Sequence, residues 1–116
     1  MRKLSHSTTI FILVLLLVTL LAQAVPVQAY SPSLTITRAK DWVTRAVPYS
    51  TSKYVDGYRT DCAGYVSMAW GLTDSYGKKK SYLPSTFTQV ATPITKDQLQ
   101  AGDIMLNTKV HVLLFS

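Results

Sequence analysis

The apolar N-terminal segment limits the fold of this chain most, because it sets how much sequence remains for a folded domain. Arg2 and Lys3 precede an almost uninterrupted aliphatic run over residues 10–22, and small residues follow at Ala24 and Ala29. This order is typical of a secretory signal peptide. The run is shorter than the roughly 20 residues that span a bilayer. We therefore expect cleavage after Ala29 and an exported protein, with a retained membrane anchor as the alternative.

The length left after cleavage predicts a single small domain. Removal of the first 29 of the 116 residues leaves 87 residues, which is too few for two domains. The whole chain carries a net charge of +6, and loss of the two N-terminal cations leaves +4. Such a domain would be attracted to anionic cell-wall polymers. The same net positive charge is also explained by an ordinary contribution of surface charge to solubility. We expect a linker over residues 30–36 and one domain over residues 37–116.

The first of two predicted helices is amphipathic and ends before Pro48. Its apolar residues recur at helical spacing: Ile36, Ala39, Val43 and Ala46. Three hydroxyl side chains near its start are candidate N-caps: Ser33, Thr35 and Thr37. The polar, tyrosine-rich residues 49–60 show no clear period, so we predict a loop there.

The second predicted helix begins at the only cysteine of the chain. Asp61 is a good N-cap, and Gly71 supplies a C-terminal stop. Cys62, Val66 and Ala69 share one helical face. The pattern therefore predicts a helix whose first residue is Cys62.

The following residues 73–93 are rich in Ser, Thr, Gly, Lys and Pro, which predicts a long surface segment. Its isolated apolar residues are candidate anchors: Leu83, Phe87 and Val90. Thr95 and Gln98 fit a capping box, so we predict a brief helical turn there.

A β-hairpin is predicted at the end of the chain. Apolar residues 104–106 and 110–115 flank the turn residues 107–109. The second strand is apolar on both faces, so we expect both to be covered. A hairpin alone is only marginally stable, and the sequence ends one residue after Phe115. We therefore expect the sequence to be incomplete, with C-terminal strands missing.

The single cysteine has several interpretations. Small exported domains usually pair their cysteines, but Cys62 has no partner within this chain. It is either a small buried hydrophobe or a thiol kept for reactivity or for pairing with another chain. Unpaired N–H groups at a helix N-terminus stabilise a thiolate and an oxyanion formed by its attack. The position of Cys62 therefore favours reactivity.

His111 is the candidate partner of Cys62, because the other histidine leaves with the signal peptide. A catalytic cysteine and histidine need be neighbours only in space. A lone histidine on a strand is also commonly structural, so both interpretations stay open. One cysteine and one histidine are too few for a structural zinc site, and no phosphate-binding glycine loop is present. We expect no metal or cofactor.

Five short motifs resemble, in order, those of NlpC/P60 cysteine peptidases. The segment DCAGYVSMAW around Cys62 is similar to the D-C-S-G signature around the nucleophile of that family. LQAGDIML and HVLLF resemble the start of one family strand and the H-V strand. VPYS resembles the segment before the cysteine loop, and LPST resembles the L-P-R-T element. The resemblance covers about residues 37–115.

The resemblance implies a papain-like α+β domain in which the cysteine helix packs on an antiparallel sheet. It also implies a secreted or wall-associated peptidase or amidase that hydrolyses peptide bonds of peptidoglycan stem peptides. Cys62 corresponds to the nucleophile and His111 to the general base and acid. Tyr49, Asp61 and Ala63 correspond to residues on the substrate side of the site. The expected protein is a monomer that binds no nucleic acid and has no stable membrane insertion after cleavage.

Two departures from the family pattern favour an alternative. Ala63 stands where the family usually has serine. The third polar residue of the family, on the strand after the histidine, has no counterpart in this sequence. The alternative is a catalytically inactive secreted module that binds cell-wall polymer or a protein partner. Acyl transfer instead of hydrolysis is a further alternative.

Overall fold

The computed structural model describes residues 30–116, so the predicted signal peptide and its cleavage site lie outside the described residues. The described chain is a small α+β fold. Its helices are α1 (Pro32–Thr44) and α2 (Cys62–Trp70), with 3-10 helices at Pro84–Gln89 and Lys96–Gln98. Its strands form two antiparallel hairpins, β1 (Tyr54–Val55) with β2 (Tyr58–Arg59), and β3 (Ile104–Asn107) with β4 (His111–Leu114). Over residues 30–116, no helix has the length and hydropathy needed to cross a membrane.

Helix α1 begins earlier than the sequence pattern predicted. Ser31 is its N-cap, with its Oγ accepting a hydrogen bond from the Leu34 N–H at 3.3 Å. Pro32 occupies the first turn, where a missing N–H costs nothing. Residues 32–36, predicted as linker, are therefore helical, and the predicted caps Ser33, Thr35 and Thr37 lie inside the helix.

The buried face of α1 differs from the predicted apolar stripe. Thr35, Ala39 and Trp42 are buried, at i, i+4 and i+7. Of the predicted stripe, only Ala39 is buried, and Val43 is 71% exposed. The helix carries apolar residues on two faces, and α2 covers only one of them.

A hairpin occupies part of residues 49–60, where a loop was predicted. Asp56 and Gly57 both have positive φ angles, 52° and 86°. A two-residue turn of this kind matches the twist of an antiparallel pair, and β1 pairs with β2 across it. Trp42 Nε1 and Arg45 Nη1 donate to Asp56 Oδ2 at 2.9 and 2.6 Å. Arg45, and then Trp42, lower the pKa of Asp56 to about 2.

Helix α2 lies between α1 and the β3–β4 hairpin, and its predicted cap and stop are confirmed. Asp61 caps it, and Gly71 ends it with a left-handed φ of 67°. Met68 and Ala69 pack with the buried face of α1. Val66 packs with the hairpin side. Residues on both sides of α2 are buried, so the helix is the centre of the core.

The segment after α2 is held by one of the three predicted anchors and by one residue that was not predicted. Phe87, within the 3-10 helix Pro84–Gln89, is fully buried as an anchor. Leu83 and Val90 are exposed, and Tyr82 is the second buried anchor. The predicted turn at residues 95–98 is confirmed, because a 3-10 helix covers Lys96–Gln98 and the Thr95 N–H donates to Gln98 Oε1 at 3.0 Å.

The C-terminal hairpin has the predicted position. Asn107 pairs with His111, and Met105 pairs with Leu113. Val112 is buried in the same cluster as Val66 of α2. His111 and Leu113 point to the opposite face and are exposed. The described residues therefore cover one face of β4, whereas the sequence pattern predicted cover on both.

Candidate functional site

A groove of about 740 Å³ runs between α1, the segment after it, the first residues of α2, and β4. Four of the five residues assigned to a site from the sequence line it: Tyr49, Asp61, Cys62 and His111. The fold thus places on the walls of one groove a thiol and an imidazole that are far apart in the sequence.

Cys62 is the first residue of α2 and is partly exposed. Its side chain also packs at the border of the hydrophobic cluster that contains Val66 and Val112. The thiol is free. It therefore combines access to the groove with a position beside the unpaired N–H groups of the first helical turn.

The start of α2 packs directly on the backbone of β2. A Cβ atom added to Gly64 would lie 1.8 Å from the carbonyl oxygen of Arg59. Such an approach is far inside van der Waals contact, so only glycine fits at this position. The glycine two residues after Cys62 therefore fixes how close the first turn of α2 comes to β2.

Asp61 is held by two partners. Its Oδ1 accepts a hydrogen bond from the Gly64 N–H at 2.8 Å, which is the N-cap. Its Oδ2 accepts one from Arg59 Nε at 2.5 Å. Asp61 lines the groove, but both of its carboxylate oxygens are engaged in holding the start of α2. The structure therefore assigns Asp61 a supporting role beside Cys62.

Arg59 was not identified as a site residue from the sequence. Its side chain and that of Asp61 are each 12% exposed, and its Nη2 donates to the Tyr82 carbonyl at 2.9 Å. Burial lowers the pKa of the Arg59 guanidinium, but the hydrogen bonds and charge of its partners, Asp61 first, raise that pKa above its ordinary value. The i, i+2 spacing of Arg59 and Asp61 in an extended segment is the signal that could have found this pair.

His111 lies at the start of β4 and is exposed to the groove. The buried neighbour Val112 holds this strand against α2 through the cluster that both share. The next residues of β4, Leu113 and Leu114, also line the groove and are apolar. The imidazole therefore lines the groove beside apolar residues of the same strand.

Tyr49 lines the groove from the segment after α1 and is 70% exposed. Two backbone hydrogen bonds hold this segment. The Val47 N–H donates to the Trp42 carbonyl at 3.1 Å, and the Ser50 N–H donates to the Thr60 carbonyl at 3.3 Å. The second bond ties the segment to the residue that precedes Asp61, so Tyr49 is adjacent to the start of α2.

The remaining wall of the groove comes from α1. Three residues of the predicted apolar stripe line the groove: Ile36, Val43 and Ala46. Lys40 lies on the same side and adds a positive charge. Three of the four residues of the predicted stripe therefore line the groove without being buried, and only Ala39 belongs to the core.

Ala63 occupies a different environment from the other assigned residues. It is fully buried and packs in the cluster with Val66, Phe87 and Val112. It does not line the groove. Its side chain has no surface to offer a ligand, and its observed contacts are with the core beneath Cys62.

The groove can support thiol chemistry. A cysteine at a helix N-terminus is a nucleophile, and an imidazole in the same groove can transfer protons. Within residues 30–116, no group of three or more His, Cys, Asp or Glu side chains could hold a metal ion.

Comparison with known proteins found no matching family model, no matching curated protein and no matching solved structure.

Proposed function

We propose that this chain is a secreted cysteine hydrolase with a papain-like domain of the NlpC/P60 type. In this proposal it cleaves peptide bonds of peptidoglycan stem peptides, with Cys62 as nucleophile and His111 as general base and acid. The observation that carries the proposal is that Cys62, at the N-terminus of α2, and His111, on β4, line one groove. The motif resemblance supports the same pair of residues.

The reaction follows from the two side chains. The Cys62 sulfur attacks the carbonyl carbon of a peptide bond, and the N–H groups of the first turn of α2 stabilise the negative oxygen that forms. His111, which accepted the proton of the Cys62 thiol, then delivers that proton to the leaving amine as the C–N bond breaks. Water then attacks the carbonyl carbon of the acyl group while His111 accepts a proton from it. The C–S bond breaks, and His111 returns that proton to the Cys62 sulfur, which regenerates the thiol.

The groove suits a peptide of mixed character. Its α1 wall is apolar, through Ile36 and Val43, and Lys40 supplies a positive charge on the same wall. Tyr49 adds an exposed aromatic ring near the start of α2. Short peptides with small apolar side chains and free carboxylates, such as stem peptides, match these features. The signal-peptide pattern of residues 1–29 supports export to the compartment that holds this substrate.

Replacement of the nucleophile tests the proposal. The purified protein is incubated with peptidoglycan, and soluble fragments and new amino groups are measured over time. We expect Cys62→Ala to release fragments at least about 10³-fold more slowly, because the covalent step is lost. Ser75→Ala, at an exposed residue outside the groove, is the control and should keep the parent rate. Equal fragment release by Cys62→Ala and the parent would contradict the assignment of Cys62 as the nucleophile.

A second candidate is an inactive secreted module that uses the groove to bind wall polymer or a protein partner. The specific observation in its favour is that the residues of β4 after His111 that line the groove near it, Val112, Leu113 and Leu114, are apolar and offer no group to orient the imidazole. On this alternative, Cys62→Ala leaves sedimentation with insoluble peptidoglycan unchanged, and neither protein releases fragments. Fragment release by the parent alone excludes it.

A further inference from the structure

The cap of α2 creates an electrostatic conflict at Cys62. Asp61 immediately precedes the cysteine and is needed to cap the helix through the Gly64 N–H. An uncompensated carboxylate on the residue next to a cysteine opposes formation of the thiolate, because like charges repel. The residue that orders the helix start therefore also places a negative charge next to the thiol.

Arg59 offers the compensation. Its guanidinium contacts Asp61 Oδ2 through Nε at 2.5 Å and is anchored to the Tyr82 carbonyl at 2.9 Å. Both side chains of the pair are 12% exposed, and water screens such a pair far less than one at the surface. The positive charge is thus fixed beside the cap.

We propose that Arg59 is a positioning residue that cancels the charge of Asp61, so that the helix cap does not suppress ionisation of the Cys62 thiol. The role of Arg59 in catalysis rests on the proposed function, but the reactivity of the Cys62 thiol can be measured without any hydrolysis. In this arrangement the ion pair with Arg59 leaves Asp61 able to cap the helix while its charge is compensated. Its hydrogen-bonding capacity orders α2, while its charge is neutralised by β2.

Other ionisable groups also face the groove and must be held constant in any test. They come from α1, the segment after it, α2 and β4: Lys40, Tyr49, Tyr65 and His111. None is altered in the variants below. A shift between variants therefore reports the Arg59 and Asp61 charges.

The test is the pH dependence of Cys62 alkylation by iodoacetamide in the folded protein. The thiol first loses its proton to solvent. The thiolate sulfur then forms a bond to the methylene carbon, and iodide leaves with the electron pair of the C–I bond. Because Cys62 is the only cysteine, mass spectrometry reads one site. The quantity compared is the pH at which the rate reaches half its maximum.

Asp61→Asn is the decisive variant, because asparagine keeps the cap oxygen and leaves Arg59 uncompensated. We expect its half-maximal pH to fall by about one unit. Arg59→Met should raise it by about one unit, and the double variant should return to within about 0.3 unit of the parent. Asp97→Asn, at an exposed residue outside the groove, is the charge control and should not shift it.

An unchanged or raised half-maximal pH in Asp61→Asn overturns the inference, even if Arg59→Met fails to fold. Fragment release measured on the same samples separates the two proposals. A downward shift in Asp61→Asn together with equal release by Cys62→Ala and the parent leaves the inference standing and removes the proposed function. Loss of fragment release in Cys62→Ala without any alkylation shift in Asp61→Asn leaves the proposed function standing and removes the inference about Arg59.

Discussion

Cys62 and His111 line the same groove, but the elements that carry them are held by different means. The start of α2 is fixed by a cap, a largely buried ion pair and the close contact of Gly64 with Arg59. The start of β4 is held by the pairing with β3 and by one buried side chain, Val112. The cysteine side of the groove is therefore ordered by polar and steric constraints, and the histidine side by one apolar face.

The two sides of the groove depend on contacts over different distances in the sequence. The cap, the ion pair and the Gly64 contact all lie within residues 59–64, so these three constraints on the cysteine side are local. The histidine side depends on residues far away in the sequence, since Val112 packs with Phe87 and Val66. Substitutions should therefore have large effects on the cysteine side and small effects on the outward face of β4.

The largest effect is expected at Gly64. A Cβ atom 1.8 Å from the Arg59 carbonyl oxygen cannot be accommodated without separating α2 from β2. We expect Gly64→Ala to lower the free energy of unfolding by more than about 4 kcal/mol, or to prevent folding. Urea denaturation followed by circular dichroism measures it.

Gly77→Ala is the matched control, because Gly77 has a positive φ of 78° but open space around its Cβ position. It should cost only about 1 kcal/mol, the usual backbone penalty. Equal losses in the two variants would mean that the packing of α2 on β2 adapts and does not constrain the cysteine.

A smaller effect is expected at Ser67, which joins α2 to the following segment. Its Oγ donates to the Ala63 carbonyl at 2.7 Å and accepts from the Tyr82 N–H at 2.9 Å, and the residue is fully buried. Ser67→Ala leaves the Tyr82 N–H unsatisfied, which should cost about 1–3 kcal/mol of unfolding free energy. Ser75→Ala, at an exposed position, should change it by less than about 0.5 kcal/mol. A neutral Ser67→Ala would show that this buried bond does not stabilise the cysteine side.

The smallest effect is expected on the outward face of β4. Leu113 is 48% exposed, so Leu113→Ala should cost less than about 1 kcal/mol of unfolding free energy. Val112→Ala, at the neighbouring residue of the opposite face, is the matched comparison and should cost about 2 kcal/mol, because Val112 is buried. Equal losses would mean that both faces of β4 are covered, and the contrast between the two sides of the groove would disappear.

The parts of the fold that were predicted correctly are those determined by near neighbours in the sequence. The cap at Asp61 and the stop at Gly71 need only the residues of one helix. The turn at residues 95–98 and the β3–β4 hairpin likewise depend on short-range hydrogen bonds and alternation. The β1–β2 hairpin was missed although Asp56 and Gly57 are a strong local turn signal.

The candidate site was predicted in part. Cys62 and His111 were identified from the sequence, and the structure brings both to one groove. Arg59 was not identified, because its importance arises from two partners, Asp61 and the Tyr82 carbonyl, and the second lies beyond α2. The burial of Ala63 also required the packing of α2 against β4.

The sequence by itself determined the start of α2 and the placement of Cys62 there, because a helix cap is a contact between residues three apart. Only the tertiary structure decided which face of α1 is buried. That helix carries Ala39 and Trp42 on one face and Ile36 and Val43 on another, and both faces offer apolar surface. The buried face is determined by the neighbour that α1 packs against, since burial is a property of contacts between elements and not of one helix. Helix α2 covers Ala39 and Trp42, which leaves Ile36 and Val43 to form a wall of the groove.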